Sequence, residues 1–117
     1  MDISGSWHFR EDFGYGVDEG DVIIKQNGLR FTGSMVYEET IEGDQPFVVC
    51  VDIEGMVLGD QIRFKGVDYE IFDDSLPEML FNLEDRQGKL VGESRIEGSS
   101  MDTDGIEGHF VMTRNKA

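Results

Sequence analysis

Residues 22–37 read VIIKQNGLRFTGSMVY, and this stretch decides the fold class. Apolar residues recur at every second position on both sides of Asn27-Gly28, which is the period of a strand with one buried face. The Asn-Gly pair favours the left-handed torsions of a two-residue hairpin turn. The stretch therefore predicts two antiparallel strands joined by a tight turn.

The same alternation continues along the chain, while no stretch holds the three-and-four spacing of a helix. We expect eight strands whose inward faces carry Ile3, Trp7 and Phe9; Val22 and Ile24; Leu29, Phe31, Gly33, Met35 and Tyr37; Phe47, Val49, Val51 and Ile53; Ile62 and Phe64; Met79, Phe81 and Leu83; Leu90, Gly92, Ser94 and Ile96; and Ile106, Gly108, Phe110 and Met112. After Gly66 the alternation shifts to Val67, Tyr69 and Ile71, which indicates a bulge within strand five. Such a meander predicts an all-β, antiparallel up-and-down barrel.

The length of 117 residues predicts a single domain, 1–117, and the 38% hydrophobic content supports a packed core. Cys50 is the only cysteine, and the N-terminus lacks the apolar run of a secretory signal, so we expect a cytoplasmic protein. The formal net charge of −15 at pH 7 opposes binding to nucleic acid and to anionic lipid. We therefore expect no nucleic-acid or membrane partner.

The connections between strands are predicted to alternate in length. Tight turns are expected at Asn27-Gly28, at Gly59-Asp60 and at 85–88. The longer connections are 11–20, 38–46, 73–77 and 98–105, and all four fall at the opposite end of the barrel, which we call the mouth. These loops hold nearly half of the acidic residues and neither Lys nor Arg. The mouth should therefore attract cations or basic protein surfaces.

Two segments resemble the calycin superfamily, which contains lipocalins, fatty-acid-binding proteins and avidins. Gly5-Ser6-Trp7 has the Gly-x-Trp opening of that group, and residues 110–114 resemble its closing strand. The resemblance implies a lipocalin-like barrel in which Trp7 packs at the closed end beneath Arg114, a contact that a cation over an indole ring stabilises. The chain is shorter than typical lipocalins and lacks their disulfide and C-terminal helix, so any cavity should be small.

The first functional hypothesis is a non-enzymatic barrel that binds a small, largely apolar ligand beneath the acidic mouth. The candidate ligand-binding residues are the inward aromatic and methionine side chains Phe9, Met35, Tyr37, Tyr69, Phe81 and Met112. An eight-stranded barrel has an interior that side chains can fill or that can hold one small ligand. A fully packed core is therefore the alternative at this point.

The second hypothesis is an acidic protein-binding module, of the inhibitor or immunity type, whose packed barrel engages a basic protein. Its rim would consist of mouth residues with aromatic or acidic side chains, namely Phe13, Tyr15, Asp18, Glu19, Glu38, Glu39, Asp73 and Asp74. An oligomer is a further prediction, through an outward apolar face that includes Val36, Val48, Cys50, Val91 and Val111.

No motif in the sequence predicts catalysis, a cofactor or a metal site. His8 and His109 should face outward on the strands that close the barrel, and two isolated histidines do not complete a zinc site. Asp102-Thr103-Asp104-Gly105 lacks the third acidic position and the distant bidentate Glu of a calcium loop. The glycines follow hairpin spacing and do not form a phosphate-binding loop.

Overall fold

The computed structural model describes residues 2–72 and 83–115, which form eight antiparallel strands. The strands are β1 (Gly5–Asp12), β2 (Gly16–Asn27), β3 (Arg30–Ile41), β4 (Phe47–Leu58), β5 (Gln61–Ile71), β6 (Glu84–Val91), β7 (Arg95–Asp102) and β8 (Glu107–Arg114). Each strand pairs with the next, and β8 pairs with β1, so the sheet closes into a barrel. This confirms the predicted fold class. Within the described ranges, no helix is long and apolar enough to cross a membrane.

Two of the predicted tight turns and the predicted bulge are present. Asn27 pairs with Arg30 across the first turn, where Gly28 has a φ of 67°. Leu58 pairs with Gln61 across the second turn. In β5 the register with β4 shifts beside Gly66, which leaves Val67 as the extra residue of a bulge. Leu29 lies in the first turn and is exposed, so its predicted inward position is wrong.

The third tight turn lies elsewhere than predicted. Residues 85–88 are in the middle of β6, and the reversal occurs at 92–94, where Gly92 has a φ of 67°. Leu90 and Ile96 were predicted on one strand, but they face each other across this turn. The left-handed conformation of Gly92 ends the strand because it departs from extended torsions, and glycine adopts it at little steric cost. The predicted strand around 79–83 lies largely outside the described residues.

The connections at the mouth are shorter than predicted, because the strands continue through most of the acidic segments. β1 extends to Asp12 and β2 begins at Gly16, so only three residues separate them. β3 continues to Ile41 and β7 to Asp102, and their connections to the next strands are 42–46 and 103–106. The predicted loops 11–20 and 98–105 are therefore largely strand, and 38–46 is strand as far as Ile41. Residues 73–77 lie outside the described part of the chain.

The closed end of the barrel contains the contact that the calycin resemblance implies. The guanidinium carbon of Arg114 lies 4.4 Å from the ring centroid of Trp7, which is fully buried. Arg114 also donates hydrogen bonds to the backbone carbonyl oxygens of Ser4 (3.0 Å) and Asp2 (3.1 Å). The indole Nε1 donates to the carbonyl of Ile3 at 2.9 Å. The hydrogen bonds of Arg114 join the end of β8 to the segment that precedes β1.

Candidate functional site

A polar cluster lies inside the barrel, in the half nearest the mouth. Strand alternation places its members inward, since Glu11 follows Trp7 and Phe9 on the same face of β1. Asp18 lies four residues before the buried Val22 and therefore on the same face of β2. We call the following residues the interior polar cluster: Glu11, Asp18, Glu39, Glu84, Arg86 and Ser100. Four carboxyl groups therefore share one region with the guanidinium group of Arg86.

Arg86 makes several hydrogen bonds within this cluster. Its Nε donates to Glu11 Oε2 at 2.8 Å, and its Nη2 donates to Glu11 Oε1 at 3.2 Å and to Glu84 Oε2 at 3.1 Å. The guanidinium carbon lies 5.1 Å from the Phe9 ring centroid and 5.7 Å from that of Phe64. Arg86 is thus held by two carboxylates and two aromatic rings in a region shielded from water.

Asp18 is the member whose polar atoms are not satisfied. Its side chain is fully buried, and no N–H or hydroxyl group among the residues that the structure describes donates a hydrogen bond to either carboxyl oxygen. Glu39 is directly opposite on β3, and the two carboxyl groups can pair only through a proton that one of them holds. Oxygens of Asp18, Glu11 and Glu84 lie within 4.8 Å of one another. Buried carboxyl groups this close cannot all be ionised without a compensating cation.

Burial and neighbouring charges raise the pKa of some of these acids and lower that of another. Burial, the proton shared with Glu39 and the nearby carboxylates raise the pKa of Asp18 to about 10. Burial outweighs the charge of Arg86 and raises the pKa of Glu84 to about 8. For Glu11, burial is opposed by the charge and hydrogen bonds of Arg86, which together lower its pKa. At neutral pH, Glu11 and Arg86 therefore form the ion pair, while Asp18 holds a proton.

The predicted ligand-binding residues divide into three groups. Phe9, Met35, Tyr37 and Met112 are buried inside the barrel, and the Phe9 and Tyr37 ring centroids are 5.8 Å apart. Tyr69 is 37% exposed, so its predicted inward position is wrong; it follows the bulge in β5, where the strand changes its orientation. Phe81 lies outside the described residues. A role of these side chains in ligand binding stays a prediction.

The predicted rim is only partly at the surface. Phe13 and Tyr15 pack edge to face at the β1–β2 turn, with ring centroids 4.9 Å apart, and Tyr15 is exposed. Glu19 and Glu38 face outward, and Glu19 pairs with His8 at 3.0 Å. Asp18 and Glu39 belong instead to the interior polar cluster, because β2 and β3 continue through them. Asp73 and Asp74 lie outside the described part of the chain.

An apolar face and two grooves are further features of the surface that the described strands form. Val36 pairs with Cys50 on adjacent strands near Val48, whereas Val91 and Val111 lie on β6 and β8, so the predicted apolar face is divided. Oligomer formation through it stays a prediction. Grooves of about 600 Å³ and about 430 Å³ are lined mainly by outward side chains of β4 to β8 and of β2 to β5, respectively.

Sequence reasoning placed Glu11 and Asp18 in exposed loops and Arg86 at a tight turn, and so missed the interior polar cluster. The available signal was parity, since each of these residues continues the inward alternation of its strand. Charged residues are rarely buried unless paired, and the partners are far apart in sequence. The charge of these residues therefore predicted exposed side chains, whereas the strand alternation predicted buried ones.

Comparison with solved structures supports the barrel architecture. The chain is similar to a redesigned β-barrel, mFAP1, bound to DFHBI, with a TM-score of 0.66, 15% identity and coverage of 96% of this chain and 94% of that chain. It is equally similar to a de novo designed fluorescence-activating β-barrel, with a TM-score of 0.66, 15% identity and coverage of 97% and 94%. It is also similar to the redesigned barrel mFAP0, bound to DFHBI, with a TM-score of 0.62 and 16% identity. That match covers 96% of this chain and 98% of that chain.

The fold is that of these designed barrels. No protein-family model matches the chain, and no curated protein sequence matches it. At 15% identity the likeness concerns the eight-stranded architecture alone.

Proposed function

We propose that the chain is a non-enzymatic binding protein that holds a small ligand inside the barrel. The ligand has a largely apolar body and a positively charged head, such as a protonated amine. The observation that carries the proposal is Asp18, a fully buried carboxyl group that receives no hydrogen bond from an N–H or hydroxyl group among the described residues. A protonated amine supplies both the hydrogen bonds and the charge that this carboxyl group lacks.

The apolar body would contact the aromatic and sulfur-containing side chains beside the interior polar cluster. The Phe9 ring is next to Arg86 and 5.8 Å from the Tyr37 ring, and Arg86 Nη1 lies 3.9 Å from the Met35 sulfur. Apolar walls with a few convergent polar groups are typical of small-molecule sites. Methionine side chains adapt easily to the shape of a ligand.

The fold supports this proposal, although it does not identify the ligand. Two of the similar designed barrels are bound to DFHBI, so the architecture accommodates a small organic molecule. We propose that the chain is a calycin-type barrel, on the basis of Gly5-Ser6-Trp7, the contact between Trp7 and Arg114, and the up-and-down topology. A cytoplasmic location is part of the proposal and stays a prediction, supported by the single cysteine, Cys50.

Native mass spectrometry of freshly purified protein tests the proposal, because the released species can be identified after denaturation. We expect a stoichiometric organic adduct that is lost on unfolding. A second arm titrates the protein with benzylamine and with benzyl alcohol by calorimetry, since the two differ in charge. We expect benzylamine to bind at least tenfold more tightly than benzyl alcohol, because the uncharged alcohol leaves the buried carboxylate without an opposite charge.

The matched variants are Asp18→Asn and Glu19→Gln. Both remove one carboxyl group from β2, but Glu19 faces outward. Asp18→Asn should abolish the preference for benzylamine, while Glu19→Gln should keep it. A bare protein mass together with equal or absent binding of the two probes would contradict the proposal.

The alternative is a protein-binding module, and one observation favours it. Tyr15 is 46% exposed and is braced by Phe13 at the β1–β2 turn, which is a suitable aromatic anchor. The inward position of Asp18 weakens this alternative, since it removes a carboxyl group from the predicted rim. Binding of a basic protein that weakens steeply with salt and is lost in Tyr15→Ala would favour the alternative.

A further inference from the structure

We infer that Glu11, Asp18 and Glu84 form a binding site for a hard divalent cation such as Ca²⁺, Mg²⁺ or Mn²⁺. This goes beyond the organic ligand proposed above and departs from the sequence-based prediction of no metal site. It rests on the interior polar cluster, in which Asp18 would be shared, so a metal ion and an organic cation would compete.

The first support is the donor geometry. Each of the three carboxyl groups places one oxygen within 4.8 Å of the oxygens of the other two. Two ligand atoms on opposite sides of Ca²⁺, each about 2.4 Å from it, lie about 4.8 Å apart. The three oxygens can therefore belong to one coordination sphere after small side-chain movements.

The second support is the unsatisfied state of Asp18. Its side chain is fully buried and directed at the other two carboxyl groups, and within residues 2–72 and 83–115 no N–H or hydroxyl group donates a hydrogen bond to either of its oxygens. Leaving such a group unpaired costs free energy, which a metal ion would offset by direct coordination. This separates the site from an ordinary cluster of surface acids.

The third support is the chemistry and size of the site. All three side chains donate oxygen, and the Ser100 hydroxyl is buried beside them, so the donor set suits hard cations and does not suit zinc or copper. Phe9 and Phe110, whose ring centroids are 6.2 Å apart, are fully buried at the centre of the interior. A metal ion needs far less space there than an organic ligand.

Arg86 remains compatible with a bound metal ion. It uses both oxygens of Glu11 and only Oε2 of Glu84, which leaves Glu84 Oε1 and both Asp18 oxygens for the metal. A carboxylate oxygen has two lone pairs, so Glu11 can accept from Arg86 and coordinate the ion at the same time. Ionised Glu11, Asp18 and Glu84 carry three negative charges, which balance Arg86 and a divalent ion.

The test is calorimetric titration of chelator-treated protein with Ca²⁺, Mg²⁺ and Mn²⁺ separately. We expect a 1:1 stoichiometry for at least one ion. Asp18→Asn should weaken binding at least tenfold, whereas Glu19→Gln should leave it within about twofold. Glu84→Gln provides a second variant if Asp18→Asn does not fold, and circular dichroism checks each fold.

The outcomes separate this inference from the proposed function. Metal binding that is equal in wild type and Asp18→Asn, or that falls equally in Glu19→Gln, would place the ions on surface carboxylates and overturn the inference. Benzylamine binding without metal binding would also overturn it, while leaving the proposed function intact. Competition between benzylamine and the metal ion would support both. Binding of neither cation would contradict both.

Discussion

Arg86 and Glu11, which are 75 residues apart in sequence, form a two-point ion pair inside the barrel, with nitrogen–oxygen distances of 2.8 and 3.2 Å. The pair joins β6 to β1 across the interior without strand pairing between them. Removing one member leaves the other charge buried and unpaired. We therefore expect Arg86→Met to lower the free energy of unfolding by about 3–5 kcal/mol, measured by urea denaturation.

The control for this prediction removes both charges. Glu11→Leu combined with Arg86→Met should recover much of the lost stability, because two buried ions are replaced by apolar side chains. A single variant with wild-type stability would show that the ion pair is not formed in solution. An equally unstable double variant would show that the loss came from packing.

Asp18 should make the protein less stable as the pH rises. Its pKa is about 10 in the folded state and 3.8 in an unfolded chain, so the folded state binds more protons between these values. Stability then falls with increasing pH across this window. Asp18→Asn removes the effect and should be more stable than wild type by about 1–3 kcal/mol at pH 8, but not at pH 4. Thermal denaturation at both pH values measures this difference, and a constant difference would argue against a protonated Asp18.

The closed end offers a test of the contact between Trp7 and Arg114. Arg114→Ala should lower the free energy of unfolding by about 2 kcal/mol, because it loses the cation–π contact and the hydrogen bonds to the start of the chain. Arg114→Lys keeps the charge but not the planar fork, so it should recover only part of the loss. Full recovery with lysine would indicate that charge alone matters.

Gly20 tests the close approach of β2 to β3 beside the interior polar cluster. A Cβ atom at this position would overlap with the carbonyl oxygen of Val36 and with the backbone of Tyr37. Gly20→Ala should therefore cost about 1–3 kcal/mol of stability through overpacking. The outward Asp21→Ala on the same strand is the control, and its effect on chemical denaturation should be small. Equal effects of the two substitutions would mean that β2 and β3 can move apart at Gly20 with no loss of stability.

The barrel could be predicted because its signals are local. The Asn27-Gly28 turn, the alternation along β3 and the shift after Gly66 each require only neighbouring residues, and the structure has all three. The turn at Gly92 was missed because Leu90, Gly92, Ser94 and Ile96 keep one parity through the reversal. A short turn that preserves alternation leaves no break in the periodic pattern.

The interior polar cluster could not be predicted from the same signals. Glu11 and Asp18 have the parity of the core, but their charge is typical of exposed residues. Their burial depends on Arg86 and Glu39, which reach them only after the barrel closes. Sequence alternation therefore predicted the scaffold, while the site depends on long-range contacts that no local pattern contains.

Both proposed cation-binding roles depend on Asp18, a buried carboxyl group. Its state can be measured from the pH titration of its side-chain carboxyl ¹³C chemical shift by NMR, with Asp18→Asn used to assign the signal. We expect a pKa of about 10 for the protein alone, and a large decrease when a metal ion or benzylamine saturates the site. A pKa near 3.8 that no cation changes would show that Asp18 is neither protonated at neutral pH nor a cation ligand.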